Sequence, residues 1–358
     1  MNSRTNPLMR SVSRRQFLAG SGVALAGLGL AGLGLTGCGS SSSTASTSAA
    51  STAATSGDLT KIDFVLDYTP NTNHTGIYVA IDKGYYADEG LEVNVEQPPE
   101  DGADALLGAG NAQMGITCQD TMANYLGSDQ PLPVTAVAAI IQHNTSGIMS
   151  RAADGITHPA AMMDHTYATW ELDIEQATIK DVVEKDGGDY SRVNLVPYNT
   201  SDDVAGLVAN QYDCVWVFEG WACQNAKVQD VAYNYFAFKD IDPALDFYTP
   251  CIAANSDFLS ENPDAVKAFL RATKKGYEYA IDNPDDAAGI LVSAVPELDS
   301  ALVKASQEYL AGEYAKDASS WGVIDSSRWD AYFEWLNDQS LVSTPITAGA
   351  GFSMDYLA

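Results

Sequence analysis

The chain reads as an α/β protein of two similar lobes. Strand-like and helix-like stretches alternate from about residue 58 to residue 250, the pattern that produces sheets flanked by helices. The segment able to fold is about 300 residues long, more than one hydrophobic core usually serves. Two stretches also run alike: "ADALLGAGNAQMGI" (103–116) and "DVAGLVANQYDCVW" (203–216) match at Ala105 and Ala205, Leu107 and Leu207, and Ala109 and Ala209. Any two β-α-β units share some of this pattern, so it speaks for two similar lobes without proving a duplication.

The elements follow in order. Residues 1–37 are expected to be an export signal outside the fold. Arg14 and Arg15 precede Phe17 and Leu18, and the Ala/Gly/Leu run over 18–35 carries no charge. Twin arginines, an apolar stretch and a terminal box define a twin-arginine signal. The alternative is an N-terminal membrane helix, for which about 18 glycine-rich residues are barely long enough. The box Leu35-Thr36-Gly37-Cys38 resembles that of bacterial lipoproteins, which makes Cys38 the expected lipidation site. Residues 38–57 hold neither charge nor a large apolar side chain, and read as a flexible tether.

In the body, "IDFVLD" (62–67) predicts a strand and residues 73–83 a helix that stops at Gly84, the C′ position glycine favours. "LEVNVEQ" (91–97) predicts a strand, 104–108 part of a helix, and "QMGIT" (113–117) a strand. "PVTAVAAII" (133–141) is nearly all apolar, as a strand covered on both faces should be. The second series predicts strands at "HTYATW" (165–170), "VNLVPY" (193–198) and "DCVWVF" (213–218), with helices over 174–184 and 203–209. From Ser256 the tail is helical. Asn262-Pro263 and Asn283-Pro284 each place an N-cap residue before proline at the first helical position,. Trp329, Phe333 and Leu336 recur at helical spacing and are expected in a core.

The chain has 358 residues and a formal charge of −28. Without the four arginines of residues 1–37 the balance is 15 basic against 47 acidic side chains, a formal charge of −32. Such a surface repels nucleic acid and anionic membrane. Four cysteines follow the box: Cys118, Cys214, Cys223 and Cys251. No two form a C-x-x-C pair, so no zinc site is expected. Buried thiols are favoured over a disulfide.

Five stretches carry a family resemblance: "LDYTPNTNHTGIYVAIDKGYYADEGLEV" (66–93), "GAGNAQMGIT" (108–117), "YATWELDIEQATIK" (167–180), "DCVWVFEGW" (213–221) and "NPDAVKAFLRATKKGYEYAIDNP" (262–284). They resemble periplasmic solute-binding proteins for thiamine pyrimidine precursors, whose fold the fungal synthase of that pyrimidine shares. The resemblance implies the two-lobe periplasmic binding protein fold (type II), with two crossing hinge strands near 143–147 and 248–252 and a ligand cleft between lobes. Lobe one would be 58–145 with 250–358, and lobe two 146–249. It further implies an ABC permease and ATPase as partners, a small aromatic heterocycle as ligand, and a monomer without cofactor.

Ligands in open α/β sheets sit beyond the carboxyl ends of strands. "DYTPNTNH" lies at such an end, so Asp67, Tyr68, Asn71, Asn73 and His74 are candidates for one wall of the cleft. The same residues also fit a plain helix start, with the asparagines as caps and His74 on the surface. In lobe two, Trp170 ends a strand and offers a stacking face. Glu175 follows it, although acids there also suit a helix N-terminus. Glu219 lies within "VFEGW", between Phe218 and Trp221. It is either a helix-start acid or a carboxylate able to accept from the amine of a 4-aminopyrimidine. Trp221 and the hinge residue Tyr248 complete the expected ligand-binding set.

Other ligand classes of the superfamily are riboflavin, nitrate and sulfonates, and the other activity is pyrimidine synthesis. No G-x-S-x-G or H-E-x-x-H is present,. The fungal synthase carries a cysteine cluster where this chain has Cys251 alone in "FYTPCIAANSDFLSENP". A receptor, not an enzyme, is therefore expected.

Overall fold

The computed structural model describes residues 59–99, 102–200 and 202–357. The expected signal (1–37), the lipid site at Cys38 and the tether (38–57) lie outside the described residues.

Two five-stranded mixed sheets form the body. The strands are β1 (Thr60–Val65), β2 (Leu91–Glu96), β3 (Met114–Thr117), β4 (Val134–Ala139), β5 (Ser146–Arg151), β6 (Thr166–Thr169), β7 (Asn194–Pro197), β8 (Cys214–Phe218), β9 (Tyr233–Ala237) and β10 (Cys251–Asn255). The first sheet runs β2-β1-β3-β10-β4 and the second β7-β6-β8-β5-β9. Both share one plan. β1 pairs parallel with β2 and β3, while β10 inserts antiparallel between β3 and β4. Likewise β6 pairs parallel with β7 and β8, while β5 inserts antiparallel between β8 and β9. The chain crosses between the sheets twice, over 140–145 and 238–250. Asp246 of the second crossing accepts from His143 Nδ1 at 2.6 Å and from the Asn144 backbone N–H at 2.9 Å in the first.

The expected elements recur with small shifts at their ends. The helix after β1 is Thr75–Asp82, preceded by a 3₁₀ turn, Thr72–His74, and followed by Gly84 at φ 75°. β5, β9 and β10 were not expected as strands of these lengths. β4 is buried for a reason unlike the expected one. It lies at the edge of its sheet, where Phe352 and Gly322 of the tail bridge to Ala136 and Ala139. Asn262 and Asn283 stand before their prolines, yet neither caps with its side chain. Asn283 Nδ2 instead donates back to the Tyr279 carbonyl at 3.2 Å. Trp329, Phe333 and Leu336 are buried in the core, as their spacing predicts. Cys214, Cys223 and Cys251 are buried free thiols, and Cys118 is half-buried and free.

Candidate functional site

The carboxyl ends of β1, β6, β7 and β8 open onto one cleft of about 510 Å³, a volume suited to a small molecule. Asp67, Tyr68, Asn71 and Asn73 line one wall, and Trp170, Tyr198, Asp203, Trp216 and Trp221 the other. Thr145 and Thr249, from the two crossings, also line it.

The first wall is built by a local hydrogen-bond circuit. Asn71 Oδ1 accepts from the Asn73 backbone N–H at 2.9 Å, so Asn71 caps the turn as well as lining the cleft. The Asn71 backbone N–H in turn donates to His74 Nδ1 at 3.2 Å. An Nδ1 that accepts leaves the ring proton on Nε2. Nε2 therefore donates to Asp67 Oδ1, 2.8 Å away. His74 is fully buried and stands behind the cleft lining, so it is not the surface histidine of the plain helix-start alternative. It holds Asp67 in place, and the second oxygen of Asp67 has no protein donor among the described residues.

The second wall rests on Glu175, which the sequence reading placed at the ligand. The structure buries it behind the wall. Its carboxylate accepts from Tyr167 Oη at 2.5 Å, Thr169 Oγ1 at 2.9 Å, the Trp170 N–H at 3.1 Å and the Leu172 N–H at 3.3 Å. These bonds fix the bend after β6, where Glu171 takes φ 62° and Trp170 lines the cleft. Glu175→Ala strands four donors, and one buried unpaired donor costs about 1–3 kcal/mol. Urea unfolding of this variant is expected to show a loss of about 3 kcal/mol or more. A loss under about 1 kcal/mol would mean that the bend holds without the carboxylate.

Two further expected contacts fall outside the cleft wall. Glu219 opens the turn Glu219–Cys223, and its Oε2 accepts from Tyr309 Oη at 2.8 Å, on the helix Ser300–Ala311. Tyr248 is fully buried; its Oη accepts from the Asp325 N–H at 2.8 Å, and the Arg328 guanidinium lies 4.1 Å from its ring centroid. Tyr248 Oη and one oxygen of Glu219 are thus taken by protein partners.

Sequence reasoning missed Tyr198, Asp203 and Trp216. Tyr198 follows β7, so the strand-end rule applied to "VNLVPY" would have found it. Its Oη donates to Asp203 Oδ1 at 2.8 Å. Burial pushes the Asp203 carboxyl up to about 6, against the lowering effect of that bond. The Trp170 ring lies 5.5 Å from Trp216 and 6.4 Å from Tyr198, at 44° and 77°. Trp170 and Tyr68 remain 38% and 66% exposed, which leaves aromatic surface open to a planar guest. None of the described residues lining the cleft is Lys, Arg or His. Among the described residues, no group of three His, Cys, Asp or Glu side chains could hold a metal.

Two mixed α/β sheets crossed twice, with a cleft at their strand ends, define the two-lobe periplasmic binding protein fold. The alkanesulfonate-binding protein SsuA of Xanthomonas axonopodis pv. citri, solved bound to MOPS, superposes with a TM-score of 0.64 at 9% identity, covering 83% of this chain and 99% of that one. The chain belongs to the NMT1/THI5 like family, whose model matches residues 71–287. A formylaminopyrimidine-binding protein of Halalkalibacterium halodurans is 27% identical over 305 residues, 82% of this chain and 90% of its own. The 4-amino-5-hydroxymethyl-2-methylpyrimidine phosphate synthase THI11 of Saccharomyces cerevisiae is 24% identical over 285 residues, 77% of this chain and 80% of its own.

Proposed function

We propose that this chain is the solute receptor of an ABC importer, and that its ligand is an unphosphorylated 4-aminopyrimidine of the thiamine-precursor type, with a hydroxymethyl or formylamino substituent. The observation that carries the reading is the cleft itself: two carboxylates, an aromatic face and no cationic side chain among its described lining residues. A 4-aminopyrimidine presents an amine donor beside a ring nitrogen, and a planar ring. The free oxygen of Asp67 accepts from the amine, and from the ring nitrogen when that is protonated. Trp170 takes the ring face. Similarity to the formylaminopyrimidine-binding protein supports the same ligand class.

Two acids in a cleft of this kind oppose a sulfonate, nitrate or phosphate, because like charges brought together in a site of lowered dielectric repel. Riboflavin, which is uncharged, is separated by titration rather than by charge. The synthase reading fares worse. Cys251 is fully buried in β10, and burial holds its thiol well above the ordinary range, whereas a reactive cysteine needs exposure and an electropositive setting. Mass spectrometry of small molecules carried through native purification tests the reading. An aminopyrimidine is expected; a sulfonate or flavin in its place would overturn the assignment.

Export by the twin-arginine route, with lipid on Cys38, would leave the receptor outside the cytoplasm, facing its permease and ATPase as a monomer. Cys38→Ala is expected to leave the fold intact and release the chain from membranes, since it removes the thiol that would carry the anchoring acyl chains. Fractionation with membranes after a salt wash would contradict the lipid anchor.

A further inference from the structure

The turn Glu219–Cys223 after β8 and the helix Ser300–Ala311 of the tail meet beside the cleft. Ser306 and Thr72 are both buried, and their hydroxyl oxygens lie 2.5 Å apart. Ser306 Oγ also donates to the Gly220 carbonyl. A carbonyl can only accept, and a serine hydroxyl has one proton. The direction is therefore forced: Thr72 donates to Ser306, and Ser306 donates to Gly220. Thr72 belongs to the turn that lines the cleft next to Asn71, while Gly220 follows a strand of the other sheet. One helical turn further on, Tyr309 Oη donates to Glu219. A Cβ on Gly220 would meet Leu310 Cδ2 at 2.7 Å, so the backbone approaches this helix closely.

We propose that the helix Ser300–Ala311 is a latch, which grips the second lobe through Glu219 and Gly220 and senses the ligand turn through Thr72. The bonds it makes cross from one sheet's domain to the other's, so they stabilise the approach of the lobes and are lost when the lobes part. Ligand in the cleft lies against the turn that carries Thr72, and the Thr72–Ser306–Gly220 relay ties that turn to the opposite wall. Apparent affinity scales with the fraction of molecules already in the binding-competent state, so the polar bonds of the latch set affinity in addition to the apolar surface that Leu310 of the same helix gives the cleft. Glu219 thereby acts in ligand capture as a positioning residue.

The test uses the full chain in a Cys38→Ala background, with spin labels on Glu92→Cys and Asn194→Cys, two exposed positions on strands of different sheets. Pulsed dipolar spectroscopy reads the distance between them without ligand. Tyr309→Phe and Ser306→Ala are each expected to move population to a distance that is minor in the parent. They are also expected to weaken binding of 4-amino-5-hydroxymethyl-2-methylpyrimidine about three- to tenfold, the effect of one ordinary hydrogen bond. Distance distributions equal to the parent's in both variants would overturn the latch and make the contact fixed packing. The ligand-free distances do not depend on the receptor reading. If the parent fails to bind the pyrimidine, the proposed ligand falls while the latch is still judged.

Discussion

Asp67→Asn weakens binding of 4-amino-5-hydroxymethyl-2-methylpyrimidine about ten- to hundredfold and leaves the melting temperature nearly unchanged. The expectation follows from the two ends of the carboxylate. Oδ1 accepts from His74 Nε2 at 2.8 Å, and an asparagine oxygen can keep that bond. The other oxygen becomes an NH₂ group, which presents a donor to the ligand's own amine donor. A hydrogen bond with a charged partner is worth about 1.5–3 kcal/mol, and about 1.4 kcal/mol is tenfold in affinity. An analogue lacking the 4-amine should lose little between the two proteins, because it never used the carboxylate. If the variant binds the aminopyrimidine within about twofold of the parent, Asp67 is not the amine's partner.

Gly276→Ala destabilises the protein by about 3 kcal/mol or more, although alanine is the better helix former by about 1 kcal/mol. Gly276 lies in the helix Pro263–Asp282, where an added Cβ would stand 2.0 Å from the Gly76 carbonyl oxygen in the helix Thr75–Asp82. The clash is with backbone, so a side-chain rotation cannot relieve it, and overpacking of this kind costs about 1–3 kcal/mol or more. The same contact supports the cleft. Tyr277 Oη donates to the Asn73 carbonyl at 2.6 Å, and its ring stacks on Trp321 at 4.5 Å. Separating the helices therefore moves the turn that carries Asn71 and Asn73, and ligand affinity should fall with stability. Gly289→Ala is the control. It also lies within a helix, Pro284–Ala294, but its Cβ would meet nothing within 4 Å. Chemical unfolding should show Gly289→Ala slightly stabilised and Gly276→Ala strongly destabilised. Equal effects from both would mean that the helices are free to part.

Element order was legible because each period reports burial: alternate residues on a strand, every third or fourth on a helix. Strand direction was not. "CIAAN" and "SGIMSR" carry no mark that β10 and β5 run against their neighbours, since an apolar run encodes burial and not polarity. β4 shows the same limit, for its apolar residues answer to tail segments more than 180 residues away. In the site, the strand-end rule found Asp67, Tyr68, Asn71, Asn73, Trp170 and Trp221, all of which line the cleft. It failed where a polar side chain near a strand end meets partners that sequence does not show. Glu175 faces four donors behind the wall, Glu219 meets a tyrosine 90 residues on, and Tyr248 is enclosed by the tail. Asp203 escaped notice because an acid at a helix start has an ordinary explanation.

Titration calorimetry of the parent protein at pH 7.5 with 4-amino-5-hydroxymethyl-2-methylpyrimidine and with its phosphate ester tests the central claim most directly. The two ligands share the ring and the amine and differ in negative charge. At that pH Asp203, with its carboxyl at about 6, is mostly ionised, so the cleft should repel the ester. The free pyrimidine is expected to bind at least about tenfold more tightly than the ester, the effect of about 1.4 kcal/mol. Equal or tighter binding of the ester would contradict an acidic cleft built for an unphosphorylated aminopyrimidine.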